Sequence, residues 1–288
     1  MSGTHGPRRG GVALIAGIGL ACLASSLLAP GTASGEGEGK IRHYNILGRT
    51  GLSVSDIGFG AGATTDPSLI EYALEMGINY FDTAESYGRG RSETAIGQVA
   101  AKHREKMVIC TKMEMNGNTT QADIFSRLDA SLGRLQTDHV EILMIHGGNQ
   151  DALENPDVYA AFDKLKEQGK IRFSGVSHHG PNIAVSLTPV IEAGKLDVIL
   201  CSYDPVGDPG IPAMLEAARQ KGIGLVAMKV FPSARAAELP EFSSGEQPFH
   251  LAALRWALKT SRMHCVIPSM NMMDQIDEYA QVSGAARE

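Results

Sequence analysis

The sequence predicts an α/β fold, a (β/α)8 TIM barrel opened by an N-terminal β-hairpin, on three observations. Eight short apolar runs of strand character alternate with amphipathic stretches of helical period through residues 57–268, the pattern of repeated βα units. Several of the helical stretches open at proline and close at glycine. The G-x-G-x-x-G turn that an open doubly wound sheet places between its first strand and first helix is missing, and Gly58-Phe59-Gly60-Ala61-Gly62 is at most a loose glycine-rich turn.

In chain order, the hairpin is expected over residues 44–54. Strands are expected at 57–60, Tyr80–Asp82, 107–112, 142–146, 172–177, 198–203, Gly224–Met228 and 265–268, each a short apolar run. Between them, residues 66–75 begin with Asp-Pro and end before Gly77, and Gln121–Leu135 follows a Thr-Thr cap site. Asn155-Pro156 starts the stretch that ends at Gly169, and Ile211-Pro212 the one that ends at Gly222. Residues 230–247 form a longer connection than such units need, with Pro232, Pro240 and Gly245, and are a candidate lid.

With 288 residues, 43% of them hydrophobic, the chain supports one large barrel and an appendage. A net charge of −6, with no basic block after Arg9 and only 6% aromatic residues, argues against a nucleic-acid surface. The appendage is the N-terminus: Arg8 and Arg9 precede an acid-free run rich in Ala, Gly and Leu over residues 10–29. This is the layout of a bacterial export signal, and the paired arginines resemble a twin-arginine signal, although no phenylalanine follows them. Residues 1–34 are therefore expected to be the signal, with cleavage near Ala33, export machinery as a partner and a periplasmic or other extracytoplasmic location. The alternative is an uncleaved inner-membrane anchor, because the run nearly reaches bilayer length. Residues 35–42 read as a flexible tether and 43–288 as the barrel, so that any membrane contact is through the N-terminal segment. Gly19 stands where a lipobox usually carries leucine, which argues against lipidation at Cys22. Cys110, Cys201 and Cys265 lie in separate apolar runs without metal-ligand spacing and read as buried thiols; no metal site is expected.

Four residues carry the chemistry: Asp82 and Tyr87 in DTAESYG, Lys112 in VICTKM and His146 in EILMIHG. Asp82, Lys112 and His146 end apolar runs, and in a barrel the carboxyl ends of the strands share one rim. A free phenol titrates near ~10, and a neighbouring ammonium favours phenolate and eases release of the proton. Asp82 would hold Lys112 charged, while His146 would direct a carbonyl oxygen to Tyr87. Such a set suits carbonyl reduction, where a developing alkoxide needs a proton and fixed donors. Singly, each residue has an ordinary structural explanation; their shared order and contexts favour the chemical one.

At these residues the chain resembles the aldo-keto reductase family, over residues 43–279. The strings are ILGRTGLSVSDIGFG, FDTAESYG, TKM, LMIHG, GKIRFSGVS, LRWAL and VIPSMNMMDQIDE. The resemblance implies a (β/α)8 barrel passing hydride between NADP or NAD and a carbonyl or alcohol. It implies Tyr87 as proton donor, Lys112 and Asp82 as its tuning pair, and His146 as the group that orients substrate. For the cofactor it implies Ser177 and His178, Met228 and Lys229, and Ser269, Asn271 and Gln275. Several of these depart from the family pattern. His178 replaces the usual asparagine, Leu200 an amide, Met228 an aromatic ring, and Ser269 and Gln275 the cations that meet a 2′-phosphate, so no clear choice between NADP and NAD is expected. The leading reading is an exported oxidoreductase acting on a small carbonyl or alcohol. The alternative is an exported cofactor-binding or regulatory barrel with little turnover. A non-redox barrel hydrolase or isomerase is weaker, because no carboxylate pair or metal cluster sits at the strand ends.

Overall fold

The computed structural model describes residues 40–204, 207–231, 248–259 and 263–285. The expected export signal and most of both the expected tether and the candidate lid lie outside the described residues. Strands β1 (Tyr44–Ile46) and β2 (Ser53–Ser55) form the antiparallel hairpin. The main sheet follows in chain order: β3 (Phe59–Gly60), β4 (Tyr80–Asp82), β5 (Val108–Glu114), β6 (Val140–His146), β7 (Ile171–His178), β8 (Val198–Ser202), β9 (Gly224–Met228) and β10 (Cys265–Val266). All seven pairings within it are parallel. Parallel bridges Ile57↔Val266 and Gly60↔Ser269 bring the last strand beside the first, so the sheet closes on itself.

The described helices are α1 (Pro67–Glu75), α2 (Arg91–His103), α3 (Gln121–Leu135), α4 (Gln150–Glu154), α5 (Pro156–Glu167), α6 (Ile183–Ala193), α7 (Ile211–Gln220), α8 (Phe249–Lys259) and α9 (Met273–Ala280). Their starts follow the expected chemistry. Asp66 accepts from the Ser68 N–H ahead of Pro67, Thr120 and Asp123 form a capping box, and Asn155 accepts from the Asp157 N–H ahead of Pro156. No described helix is long and apolar enough to cross a membrane.

Alternation along the strands sorts the core into two layers. One side of each strand packs against the helices; the other fills the barrel with Tyr80, Cys110, Met144, Leu200, Val226 and their neighbours. Leu47, Leu52 and Val54 of the hairpin segment join this inner layer and plug its amino end.

Several strand ends differ from expectation, three of them for a reason that bears on the site. Before Phe59 the chain bonds to the last strand instead of to β4: Gly58 N–H donates to Val266 O at 2.9 Å, and Val266 N–H to Asp56 O at 2.8 Å. The last strand stops early because Pro268 has no N–H with which to extend a ladder. Strand β5 continues to Glu114, so Lys112 lies two residues inside the sheet and is wholly buried, not at a wet strand end.

Candidate active site

Asp82 is the last residue of β4, and two cross-strand bonds shape the loop that follows. Thr83 N–H donates to Cys110 O at 2.8 Å and Glu85 N–H to Lys112 O at 3.1 Å, which carries Tyr87 over the end of β5. Immediately afterwards Gly88 and Arg89 both take left-handed φ, at 58° and 59°. A non-glycine residue held there stores on the order of 1 kcal/mol or more. His146 ends β6, and Gly147 and Gly148 turn the chain away with φ of 88° and 58°. A Cβ on Gly148 would meet His178 Cδ2 at 2.6 Å, so glycine there leaves the room that His178 fills.

These segments bring the four predicted residues together. Lys112 Nζ donates to Asp82 Oδ2 at 2.6 Å and to Thr83 O at 2.7 Å, and sits 3.4 Å from the Tyr87 hydroxyl. The ammonium is also 4.7 Å from the Tyr87 ring centroid. The Tyr87 and His146 rings meet edge to face, 5.7 Å apart at 83°.

Burial and charge act against each other at every member. For Lys112, burial disfavours the ammonium, but the Asp82 carboxylate and neighbouring groups outweigh it and hold the amine above its ordinary range. Burial lifts Asp82 above the usual carboxylate range despite the pull of Lys112. Burial likewise raises Tyr87, with the Lys112 ammonium opposing it. The ammonium acts in the direction expected from sequence, and desolvation is larger. The phenol therefore keeps its proton at neutral pH. His146 is pushed down to about 4 by burial, the Lys112 charge and His179, which leaves a neutral imidazole. Its Nδ1 is buried without a hydrogen-bond partner.

A cavity of about 440 Å³ opens beside this cluster. Asp82 and Tyr87 line it together with Met228, Lys229 and Ser269, three of the residues expected at the cofactor. Lys229 is the one cation among its lining residues and is held at a left-handed φ of 52°. Ser177 pairs in register with His146 and is buried, and His178, one residue on, is 7% exposed. The Gly180 N–H donates to His178 Nδ1 at 3.1 Å, which leaves the ring proton on Nε2. Asn271 and Gln275 bond to each other, N–H to Oε1 at 2.8 Å, and do not line the cavity. Val230 and Phe231, the first residues of the candidate lid, also line it, as do Gly60, Gly62, Ile267 and Pro268, to which the sequence assigned no place in the site. They come from the seam between β3 and the last strand and from the end of β9, and no local pattern announces which backbone will face a groove.

A sequence profile described as the aldo/keto reductase family matches residues 61–238. L-galactose dehydrogenase of Arabidopsis thaliana is 28% identical over 273 residues, covering 81% of this chain and 85% of that protein. Methylglyoxal reductase YeaE of Escherichia coli is 33% identical over 114 residues, 40% of this chain and 39% of that protein. The oxidoreductase YqkF of Bacillus subtilis is 32% identical over 152 residues, and the chain spans about half its length, 49%. The holo form of the aldo-keto reductase AKR11C1 from Bacillus halodurans shares the fold, with a TM-score of 0.69 and 24% identity over 84% of this chain and 90% of that one. Profile, relatives and barrel agree: the chain belongs to the aldo/keto reductase family.

Proposed function

We propose that the protein is a nicotinamide-dependent oxidoreductase that interconverts a small carbonyl compound and its alcohol, with Tyr87 as proton donor. The observation that carries this reading is the buried Lys112 ammonium held between Asp82 and the Tyr87 hydroxyl where both of the latter face the cavity. The donor set fits such a nucleotide: the Met228 thioether packs well against a flat ring, and Lys229 and Ser269 offer a cation and a hydroxyl to phosphate. Ser177 and His178 supply polar groups from the end of β7, and Asn271 and Gln275 extend the set toward α9. When bound, the nucleotide supplies the hydride for reduction and accepts it in oxidation.

The side chains then do three things. His146, neutral, donates to the carbonyl oxygen and holds it toward Tyr87. Tyr87 gives its proton to that oxygen as negative charge develops there. Lys112 stabilises the phenolate left behind, and Asp82 keeps the ammonium charged and aimed. Purified protein should oxidise NADPH or NADH in the presence of small aldehydes, with methylglyoxal first, and reduce the oxidised nucleotide with small sugars such as L-galactose. No turnover with any of them, in either direction, would overturn the proposal.

The same proposal places the mature protein beyond the inner membrane, beginning near Ser34, on the support of Arg8, Arg9 and the apolar run 10–29. Fractionation with N-terminal sequencing tests it. A membrane-embedded product that begins at residue 1 or 2 would favour the anchor.

A further inference from the structure

Three polar side-chain atoms among the described residues are buried without a hydrogen-bond partner: the Tyr80 hydroxyl, Asp82 Oδ1 and His146 Nδ1. The first two flank one thiol. Tyr80 and Asp82 are two apart on β4, Cys110 and Lys112 two apart on β5, and the parallel register sets Asp82 beside Cys110. Alternation sends all four side chains into the barrel interior. Tyr80, Cys110 and Lys112 are 0% exposed and Asp82 3%, and the Tyr80 hydroxyl and Asp82 Oδ1 are themselves out of reach of bulk water. The register places the Cys110 side chain beside Asp82 on this interior face, near enough for the thiol to interact electrostatically with both the carboxyl and the Tyr80 hydroxyl, and neither of these makes a hydrogen bond to it.

The other carboxylate oxygen, Oδ2, is committed to Lys112 at 2.6 Å. Oδ1 has no hydrogen-bond partner, and the Cys110 thiol is the donor-bearing group that the register sets beside it. A buried carboxylate oxygen left without one is costly, and a thiol is a weak but real donor. We propose that Cys110 is a positioning residue of the active site: its thiol donates to Asp82 Oδ1 and accepts from the Tyr80 hydroxyl, keeping the carboxylate turned toward Lys112. The inference rests on the reading of Asp82, Lys112 and Tyr87 as the proton-delivery set. Cys110 itself is no nucleophile, since burial pushes its thiol well above the ordinary range and keeps it protonated.

The consequence is a pH effect that volume alone would not produce. The groups facing Asp82 are Cys110 and Lys112 from β5, Tyr80 from its own strand, Tyr87 from the following loop and Cys265 from the last strand. Of these, Cys110 and Lys112 favour the ionised carboxyl. Loss of the thiol donor favours the protonated acid. Carbonyl reduction then fails at a higher pH than in the parent, because a protonated Asp82 no longer balances the Lys112 ammonium.

The test is the pH dependence of kcat/KM for Cys110→Ala, Cys110→Ser and Cys201→Ser, with nucleotide affinity and melting temperature measured alongside. The low-pH limb of Cys110→Ala should move up by about one pH unit, and Cys110→Ser, which keeps a donor, should restore it. Cys201 lies in the outer layer against the helices, and its replacement should leave the limb in place. The infrared S–H stretch should show one thiol shifted to lower frequency in the parent and not in Asp82→Asn. A folded Cys110→Ala with an unmoved limb, or a Cys110→Ser limb displaced as far as that of the alanine variant, would overturn the inference. Should the parent reduce no carbonyl with either nucleotide, the functional proposal fails, and the infrared comparison still decides whether Cys110 donates to Asp82.

Discussion

Tyr87 holds its proton against two opposed effects, and the balance sets what its removal does. Burial raises the phenol and the Lys112 ammonium lowers it, so the group reaches the substrate as an acid whose conjugate base is already stabilised. Tyr87→Phe removes that proton and little volume, and should lower kcat about 10²–10⁴-fold while nucleotide affinity measured by fluorescence titration stays near the parent value. An unchanged rate would remove Tyr87 from the mechanism. His146 gives a second prediction, with its sign fixed by the direction of its shift. Its folded-state value is depressed to about 4 from an ordinary value near ~6.5, so its contribution to stability is fully present above the unfolded value and is lost as pH falls from there through the folded one. His178, His179 and His264 are shifted the same way. Urea midpoints should therefore drop on acidification through that window, and less steeply in His146→Gln. Nucleotide choice is a third matter of single residues. Lys229 is the cation lining the cavity, while Gln275 is bonded to the Asn271 backbone. Affinities for NADP and NAD should differ by less than about a hundredfold, roughly 2.7 kcal/mol. A larger preference in a calorimetric titration would show a cationic clamp that these residues do not provide.

At the scale of elements, the ring of helices is held by close backbone approaches as much as by apolar stripes. A Cβ on Gly97 in α2 would stand 2.2 Å from Arg134 O in α3, a contact that no rotamer change relieves. Nearby, the wholly buried Glu93 accepts from Arg134 at 2.7 Å and from Thr111 at 2.6 Å, tying α2 to α3 and to β5. Gly97→Ala should cost about 1–3 kcal/mol in denaturant unfolding by forcing these helices apart, and a stability equal to the parent would mean the crossing adjusts freely. This glycine illustrates what a sequence leaves illegible. Strands Tyr80–Asp82 and Gly224–Met228 and helix Gln121–Leu135 are readable to the residue, because apolar runs and caps are local signals. Helix α2 is not: it opens from Gly90 in a left-handed conformation, without a capping side chain. Helix α6 carries Pro189 in its interior and opens from a left-handed Asn182. The four catalytic candidates are legible for a related reason, since three of them end strand-like runs and the fold then sets their rim. The cavity walls at Gly60, Ile267 and Pro268 are not, because which backbone meets which across the seam is a property of closure.

At the scale of the whole molecule, closure also joins the two ends of the barrel. Arg42 N–H and His43 N–H donate to Ser283 Oγ at 2.9 and 3.1 Å, and the Arg42 guanidinium donates to Ser283 O and Gln281 O. Ser283 Oγ in turn donates to Asp56 Oδ1 at 2.7 Å, and Gly284 N–H to Asp56 Oδ2 at 2.7 Å. Asp56 is 1% exposed, so each oxygen that loses its donor is a buried acceptor without water. The segment that leads from the proposed export signal into the barrel is thus fastened by residues beyond the last described helix, and that fastening exists only after residue 284 has been made. A route that carries folded proteins would accept the precursor after this step. Deleting residues 283–288 should cost at least about 2 kcal/mol of stability, from unpaired groups on Asp56, Arg42 and His43. If the paired arginines direct export of the folded barrel, the truncated precursor should also accumulate in the cytoplasm, and Ser283→Thr, which keeps a hydroxyl, should be exported more nearly as the parent is. Export of the truncated chain at the parental rate would separate the signal from the state of the barrel and leave the clasp with a purely structural role.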